Sequence, residues 1–257
     1  MLFQEVFKRV EVKYLLTKEQ YTLLRNRLKD IVEVDQYGET DILNIYYDTP
    51  DYQLIRRSLE KPLYKEKLRL RTYGTPKDRR ETSFIEIKKK YDGVVYKRRI
   101  DAPYGEAKTY LDGEGELAKR SQIKSEIDSM LAGNEGMRPA MAISYKRIAM
   151  KGIADPELRI TFDREIRWRT EDLELTSGPQ GEELLQPGQY LMEVKIANAF
   201  PMELARIFSE LSIFPATFSK YGRGYEVMTA RAMSLRQQIK RNEHAAYAGK
   251  KGVMVYA

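Results

Sequence analysis

Charged side chains recur at every second position in several stretches of this chain, and that spacing is where chemistry could sit. Arg9, Glu11 and Lys13 alternate with Val10, Val12 and Tyr14. Lys67, Arg69 and Arg71 alternate with Leu68 and Leu70, and Glu86, Lys88 and Lys90 with Ile85 and Ile87. Lys97 pairs with Arg99 in the same way, Tyr145 with Arg147, Arg159 with Thr161 and Asp163, and Glu193 with Lys195. In an extended strand every second side chain shares a face, so each set lines one face. Rows of guanidinium and ammonium groups suit phosphate oxygens, which Arg grips with two parallel N–H donors. Carboxylates among them suit a hard divalent cation. The rest of the composition narrows the choice. There is no cysteine, and the one histidine, His244, sits in a polar tail. Thiol nucleophiles, Cys/His zinc sites, disulfides and a Ser-His-Asp triad are thereby excluded. Any catalysis must run on Lys, Arg, Tyr, Asp, Glu and metal.

These rows need strands to carry them, and the pattern supplies eight. Val6 to Leu16 alternates. Thr17 then caps a helix, with Gln20 at the capping-box position and Tyr21, Leu24 and Leu28 as its apolar stripe. Asp41 to Asp48 is the second strand, and Asp51 to Leu59 a short helix. Tyr64 to Tyr73 follows, then Thr82 to Tyr91 and Val94 to Ala102 as a hairpin around Asp92-Gly93. A helical region from Tyr104 to Leu131 breaks near Gly113 and Gly115. Ala140 to Met150, Leu158 to Trp168 and Gln189 to Ala197 complete the strands, with a loose stretch from Glu171 to Gly188 before the last. Pro201 to Leu211 and Lys220 to about Gln238 read as closing helices. Residues 1–240 form one domain, and 241–257 read as a mobile tail.

One such strand is most simply a solvated sheet face. The set taken together points elsewhere. The intervening helices are amphipathic and need apolar sheet surface to cover, which leaves the charged faces pointing into the bore of a barrel. The expected fold is α+β, an eight-stranded antiparallel β-barrel (a tunnel) with helices packed outside. Cations outnumber carboxylates there, so internal pairing cannot neutralise the bore, and a polyanion is the natural complement. The net charge of +7 agrees. A closed bore excludes duplex DNA, no helix-turn-helix or aromatic RNA-binding pattern is present, and no nucleic-acid partner is expected. With no strand, Gly-rich loop and helix in sequence ahead of a Gly-Lys-Ser/Thr, Gly222 and Gly224 read as close approach or a helix start, not a P-loop.

The residues carry a resemblance to the VTC domain, the polyphosphate polymerase branch of the triphosphate tunnel metalloenzyme (CYTH-like) superfamily. The matching pieces run in order: RVEVKY (9–14), YYDTP (46–50), KLRLRTYG (67–74), FIEIKKK (84–90), SYKRIA (144–149), LRITFDREI (158–166), LMEVK (191–195) and FSKYGRGY (218–225). The resemblance implies a metal-dependent enzyme that transfers the ATP γ-phosphate onto polyphosphate inside a basic tunnel. By position it assigns Lys13, Arg69, Arg71, Lys88, Arg147 and Arg159 to gripping phosphate, with Lys97 or, in its place, Arg99 on the following strand. Tyr145 would hydrogen-bond a phosphate oxygen, and Ser219 with Lys220 would close one mouth. Glu193 would ligate Mn²⁺ or Mg²⁺, with Glu11 and Glu86 as further candidates. Pairing with neighbouring Arg or Lys is the alternative for each carboxylate, and wall packing the alternative for Tyr145.

Two positions depart from the family pattern. Arg9 stands where many hydrolases of the superfamily have the first Glu of a Glu-x-Glu-x-Lys motif, which removes a metal-binding carboxylate. Thr217 stands where the polymerase branch often has a basic residue. The expected partners are ATP and polyphosphate. No apolar run approaches the ~20 residues of a membrane span and no N-terminal signal pattern is visible, so a cytoplasmic protein is expected, with any membrane coupling left to a separate partner. A triphosphatase of the same fold and a non-enzymatic polyphosphate or inositol-phosphate sensor are the alternatives.

Overall fold

The computed structural model describes residues 10–92, 94–197 and 199–252, and the side chains of these up to residue 241. Residues 6–9 of the expected first strand (Arg9 among them), Gly93, the His244 side chain and the last five residues of the expected tail lie outside the described residues.

All eight expected strands are present: β1 (Val10–Leu16), β2 (Val32–Asp48), β3 (Tyr64–Tyr73), β4 (Thr82–Tyr91), β5 (Val94–Pro103), β6 (Arg138–Gly152), β7 (Arg159–Arg169) and β9 (Tyr190–Ile196). A two-residue strand, β8 (Glu182–Glu183), is added on β7 from within the loose stretch. The strands form one antiparallel sheet in the order β1-β9-β7-β6-β2-β3-β4-β5. The expected cylinder of hydrogen bonds is not laced all the way round: among the described residues no ladder joins β1 to β5. The sheet nevertheless curls, bringing Glu11, Lys13 and Glu193 near enough to Lys88 of β4 to act on its charge.

Strand β2 begins nine residues earlier than the pattern suggests. Val32 and Val34 pair with Gly152 and Met150, then the register slips before Glu39, with Gly38 at φ 61°. A bulge at this slip takes up the extra residues between Val34 and Glu39 without ending the strand.

The outer face is apolar and covered as expected. Leu43, Ile45, Leu68, Leu70, Ile85, Ile87 and Ile100 are buried together with residues of α3 (Tyr104–Leu111) and α4 (Gln122–Gly133). On the other half, Tyr14, Leu16, Ile160, Phe162, Met192 and Val194 are buried with residues of α1 (Lys18–Arg27) and α5 (Met202–Glu210). Thr17 caps α1 with the reciprocal capping box.

The last helix departs from the expected plan. Helix α6 (Lys220–Gly252) continues past Gln238, and its first turns lie against the inner face of the sheet, not outside it. Tyr221 packs with Tyr46, Met141, Ile143, Tyr145, Trp168 and Leu191, and its ring stacks on that of Tyr46 at 4.6 Å. Gly224 permits this approach: a Cβ there would stand 2.5 Å from Met141 Sδ.

Asp48 secures the junction. One carboxylate oxygen accepts from the Thr49 and Leu54 amides at 2.8 and 2.9 Å. The other accepts from the Ile55 amide at 3.0 Å, at the start of α2 (Gln53–Leu59), and from the Tyr221 hydroxyl at 2.8 Å. Hydrogen bonds to a charged group contribute about 1.5–3 kcal/mol. Tyr221→Phe is therefore expected to cost about that much in denaturant unfolding while leaving the fold intact. Among the described residues no helix is long and apolar enough to cross a membrane.

Candidate functional site

The register puts the charged rows side by side. Lys13 pairs with Glu193, Glu193 with Thr161, Arg147 with Asp163, Tyr46 with Arg69, Arg69 with Glu86, and Glu86 with Arg99. All of these lie on the concave face, and they divide into two clusters.

In the first, Asp163 is fully buried and accepts two hydrogen bonds from Arg147, Nε to Oδ1 at 2.6 Å and Nη2 to Oδ2 at 2.7 Å. Lys220 Nζ reaches Oδ2 of the same carboxylate at 2.6 Å. The helix start delivers Lys220 there: Ser219 Oγ accepts from the Gly222 amide at 3.2 Å, and Lys67 Nζ lies 3.2 Å from the same hydroxyl. Lys13 Nζ donates to the Phe218 carbonyl at 2.9 Å. Tyr145 lies between the cations, with Lys220 Nζ 4.5 Å and Arg147 Cζ 5.1 Å from its ring centre, and its hydroxyl accepts from Arg71 at 3.0 Å.

The second cluster surrounds Glu86, which is 1% exposed. Arg69 Nε donates to it at 2.7 Å, Lys97 Nζ lies at 3.1 Å and Arg71 Nη1 at 3.6 Å. Arg69 also donates to the Tyr46 hydroxyl at 3.0 Å, and Arg71 to Asn44 Oδ1 at 2.8 Å. Burial alone would raise the Glu86 pKa, but Arg69, Arg71 and Lys97 outweigh it and hold the carboxyl at about 2. Burial likewise opposes ionisation of Glu193, and Lys220, Lys13 and Arg147 reverse it, holding this carboxyl well below its usual range.

The carboxylates differ in how they are held. Glu193 meets Lys13 and Lys220 only at 3.5 Å and Arg147 at 4.0 Å. Glu11 meets Lys13 at 3.7 Å and Lys195 at 3.9 Å. These are loose contacts beside the tight ones around Asp163 and Glu86. Across the ladder from Glu193, the buried Thr161 hydroxyl has no hydrogen-bond partner among the described residues. Among the described residues no three acidic or histidine side chains converge as a ready-made metal cage. A loosely held carboxylate beside an unpartnered hydroxyl fits Mg²⁺ or Mn²⁺, which bind through one or two carboxylates and take further oxygens from a phosphate substrate. Glu193 with Glu11 fits that description; Glu86, gripped by two arginines and a lysine, does not.

The remaining candidates are placed as follows. Lys88 lies across the bore from β1, and burial lowers its pKa. Arg99 is inward-facing with its guanidinium over the Phe84 ring at 4.7 Å. Arg159 is exposed, at the end of a row with Lys195 and Glu11. Lys67 and Asp163 fall on the inward faces that the alternation predicts but carry no assigned role there, and Asn44 and Tyr46 have no assignment from sequence. The signal was there for Lys67, one step before Arg69 and Arg71.

A profile of the VTC domain matches residues 8–229. The chain belongs to the VTC domain family. Solved structures share the fold at low identity. A proposed adenylate cyclase from Bacillus halodurans is similar with a TM-score of 0.52 and 15% identity, over 82% of this chain and 93% of that one. A proposed adenylyl cyclase from Hippeastrum, for which a dominant triphosphatase activity is described, is similar with a TM-score of 0.51 and 15% identity, over 83% and 93%. No curated protein matches the sequence.

One property of this VTC domain's bore is testable through protons. Burial, with Lys88, Lys65 and Lys13 nearby, lowers the Lys67 pKa to about 8, although Tyr46 opposes the shift. Lys67 is thus partly neutral in the free protein above that pH. A bound polyanion favours the ammonium form, so binding raises this pKa and takes up protons. Tripolyphosphate affinity should be highest below about pH 8 and fall as pH rises through it, with proton uptake near pH 9. Burial lowers the Lys97 pKa to about 8 as well; calorimetry in two buffers of different ionisation heat measures the uptake, and none there would show that the bound anion reaches neither lysine.

Proposed function

We propose that this VTC domain is a polyphosphate polymerase that transfers the γ-phosphate of ATP onto a growing polyphosphate chain, with Mn²⁺ or Mg²⁺. The observation that carries the reading is the convergence of Lys13, Lys67, Arg69, Arg71, Lys88, Arg147 and Lys220 on one concave face, outnumbering the carboxylates among them. Such a face favours an anion, and a slender one.

Phosphoryl transfer depends on positioning and charge neutralisation more than on covalent help from the protein. Arg69 and Arg71, braced by Glu86, Tyr46 and Asn44, would hold triphosphate oxygens on one wall. Arg147 and Lys220, braced by Asp163, would hold them on the other. A divalent ion held by Glu193 and Glu11 supplies further neutralisation of the triphosphate when bound. The terminal oxygen of the acceptor chain attacks the γ-phosphorus in line, the bond to the β–γ bridging oxygen breaks, and ADP leaves. That oxygen is already anionic at neutral pH, so no general base is needed, which suits a site without histidine.

Hydrolysis of a triphosphate would use the same clamp with water as the acceptor. Water needs activation, and the two clusters offer no free carboxylate base apart from the proposed metal ligands. Incubating the protein with ATP and Mn²⁺, then running a polyphosphate gel beside a phosphate-release assay, separates the two. Long chains with stoichiometric ADP are expected. Free phosphate without polymer would overturn the polymerase and leave a triphosphatase.

A further inference from the structure

The concave face is not uniform along β3 and β4. From Arg69 in one direction it continues as Lys67 and Lys65 on β3, and from Glu86 as Lys88 and Lys90 on β4. In the other direction it changes character. Phe84 stands directly across from Arg71, and Tyr73 is the next inward residue after Arg71 on its own strand. The Tyr73 and Phe84 rings meet edge to face at 5.6 Å, and the Arg99 guanidinium lies over Phe84 at 4.7 Å. Tyr73 is 48% exposed, and Arg99 is exposed as well. Two aromatic rings and a planar cation thus sit together at the end of the charged β3–β4 rows, and solvent reaches them.

Resting on the reading of the bore as a triphosphate clamp, we infer that Tyr73, Phe84 and Arg99 form a platform for the nucleobase of the donor nucleotide. The spacing supports it. Inward side chains on one strand are about 6.6–6.8 Å apart, so a triphosphate whose α-phosphate reaches Arg71 carries its ribose and base one step further, onto Tyr73 and Phe84. Bases stack on aromatic rings and on guanidinium planes. The lysine-only direction offers nothing to a base and suits continued phosphate. The nucleotide therefore lies with its nucleoside toward Tyr73 and its γ-phosphate toward Lys67 and Lys88.

Calorimetric binding of ATP and of inorganic tripolyphosphate to the full chain tests this, using Phe84→Ala and Tyr73→Ser. Both variants should weaken ATP by at least about fivefold, the lower range for loss of one base stack, and leave tripolyphosphate within about twofold of wild type. Tyr73→Ser, at an exposed side chain, keeps the test decisive should Phe84→Ala unfold. An equal loss for both ligands, or no loss for ATP, overturns the platform. If the wild-type protein binds neither ligand, the clamp itself fails and the platform with it, a result distinguishable from the others.

Discussion

Glu193→Gln is expected to lower the proposed turnover of ATP into polyphosphate by about 10²–10³-fold, the scale of losing one preorganised electrostatic contact to the transition state, while binding of tripolyphosphate is retained. The geometry separates the two effects. Glu193 is 7% exposed and stands among Lys13, Lys220 and Arg147 at 3.5–4.0 Å. Gln is nearly isosteric, so packing survives. Removing a negative charge from among three cations makes the bore more attractive to an anion in the absence of metal. A variant that binds tripolyphosphate as well as, or better than, wild type but no longer responds to Mn²⁺ identifies Glu193 as the ion's anchor. Wild-type turnover with an unchanged Mn²⁺ requirement would remove it from that role.

Asp163→Ala should be the most destabilising single change in the bore, by about 3–5 kcal/mol, because it leaves buried cations without their counter-charge. Asp163 has no solvent exposure, and the two groups it holds, Arg147 and Lys220, have side chains only 17% and 10% exposed. Glu193, further away, cannot satisfy both. An anion in the bore can partly replace the missing carboxylate, so saturating tripolyphosphate should restore more stability to the variant than it adds to wild type. Urea unfolding with and without the ligand reads both quantities. A loss below about 1 kcal/mol, or equal stabilisation of the two proteins by the ligand, would show that Asp163 is not the keystone of this cluster.

Much of this was legible in the sequence because a strand has only two faces. Once Lys67, Arg69 and Arg71 alternate with buried Leu68 and Leu70, the side on which the charges fall is settled, and the eight strands follow from repeating that step. What sequence does not encode locally is which face of a sheet a helix will cover. The start of α6 carries Tyr221 and Tyr225 much as an outer helix would, and only Gly224 against Met141 hints that it packs on the inner wall. The roles of Asp163 and Glu86 were hidden for a related reason. Each is an acid in a strongly charged strand, and the task of holding two cations for Asp163 and three for Glu86 exists only once β6, β7 and α6, or β3, β4 and β5, are brought together. The alternative of ion pairing, open for Glu86 from the start, is the one its contacts match.

Helix α6 is continuous from Lys220 to Gly252, a rod of roughly 50 Å at 1.5 Å per residue. Its first two turns, through Tyr221, Gly224, Tyr225 and Met228, are seated on the sheet, while the residues from Ala230 to Arg241 are exposed. Such a rod would act as a lever about its seated turns near Met228, with Arg231 a further tie to Glu182 of β8. A tilt of about 5° in the long arm would shift Lys220, on the short arm, by about 1 Å, enough to open its 2.6 Å contact with Asp163. Displacements of that size can cost a catalyst about 10²-fold in rate, so a force on the distal end of this helix would be felt at Asp163 and the cations around it.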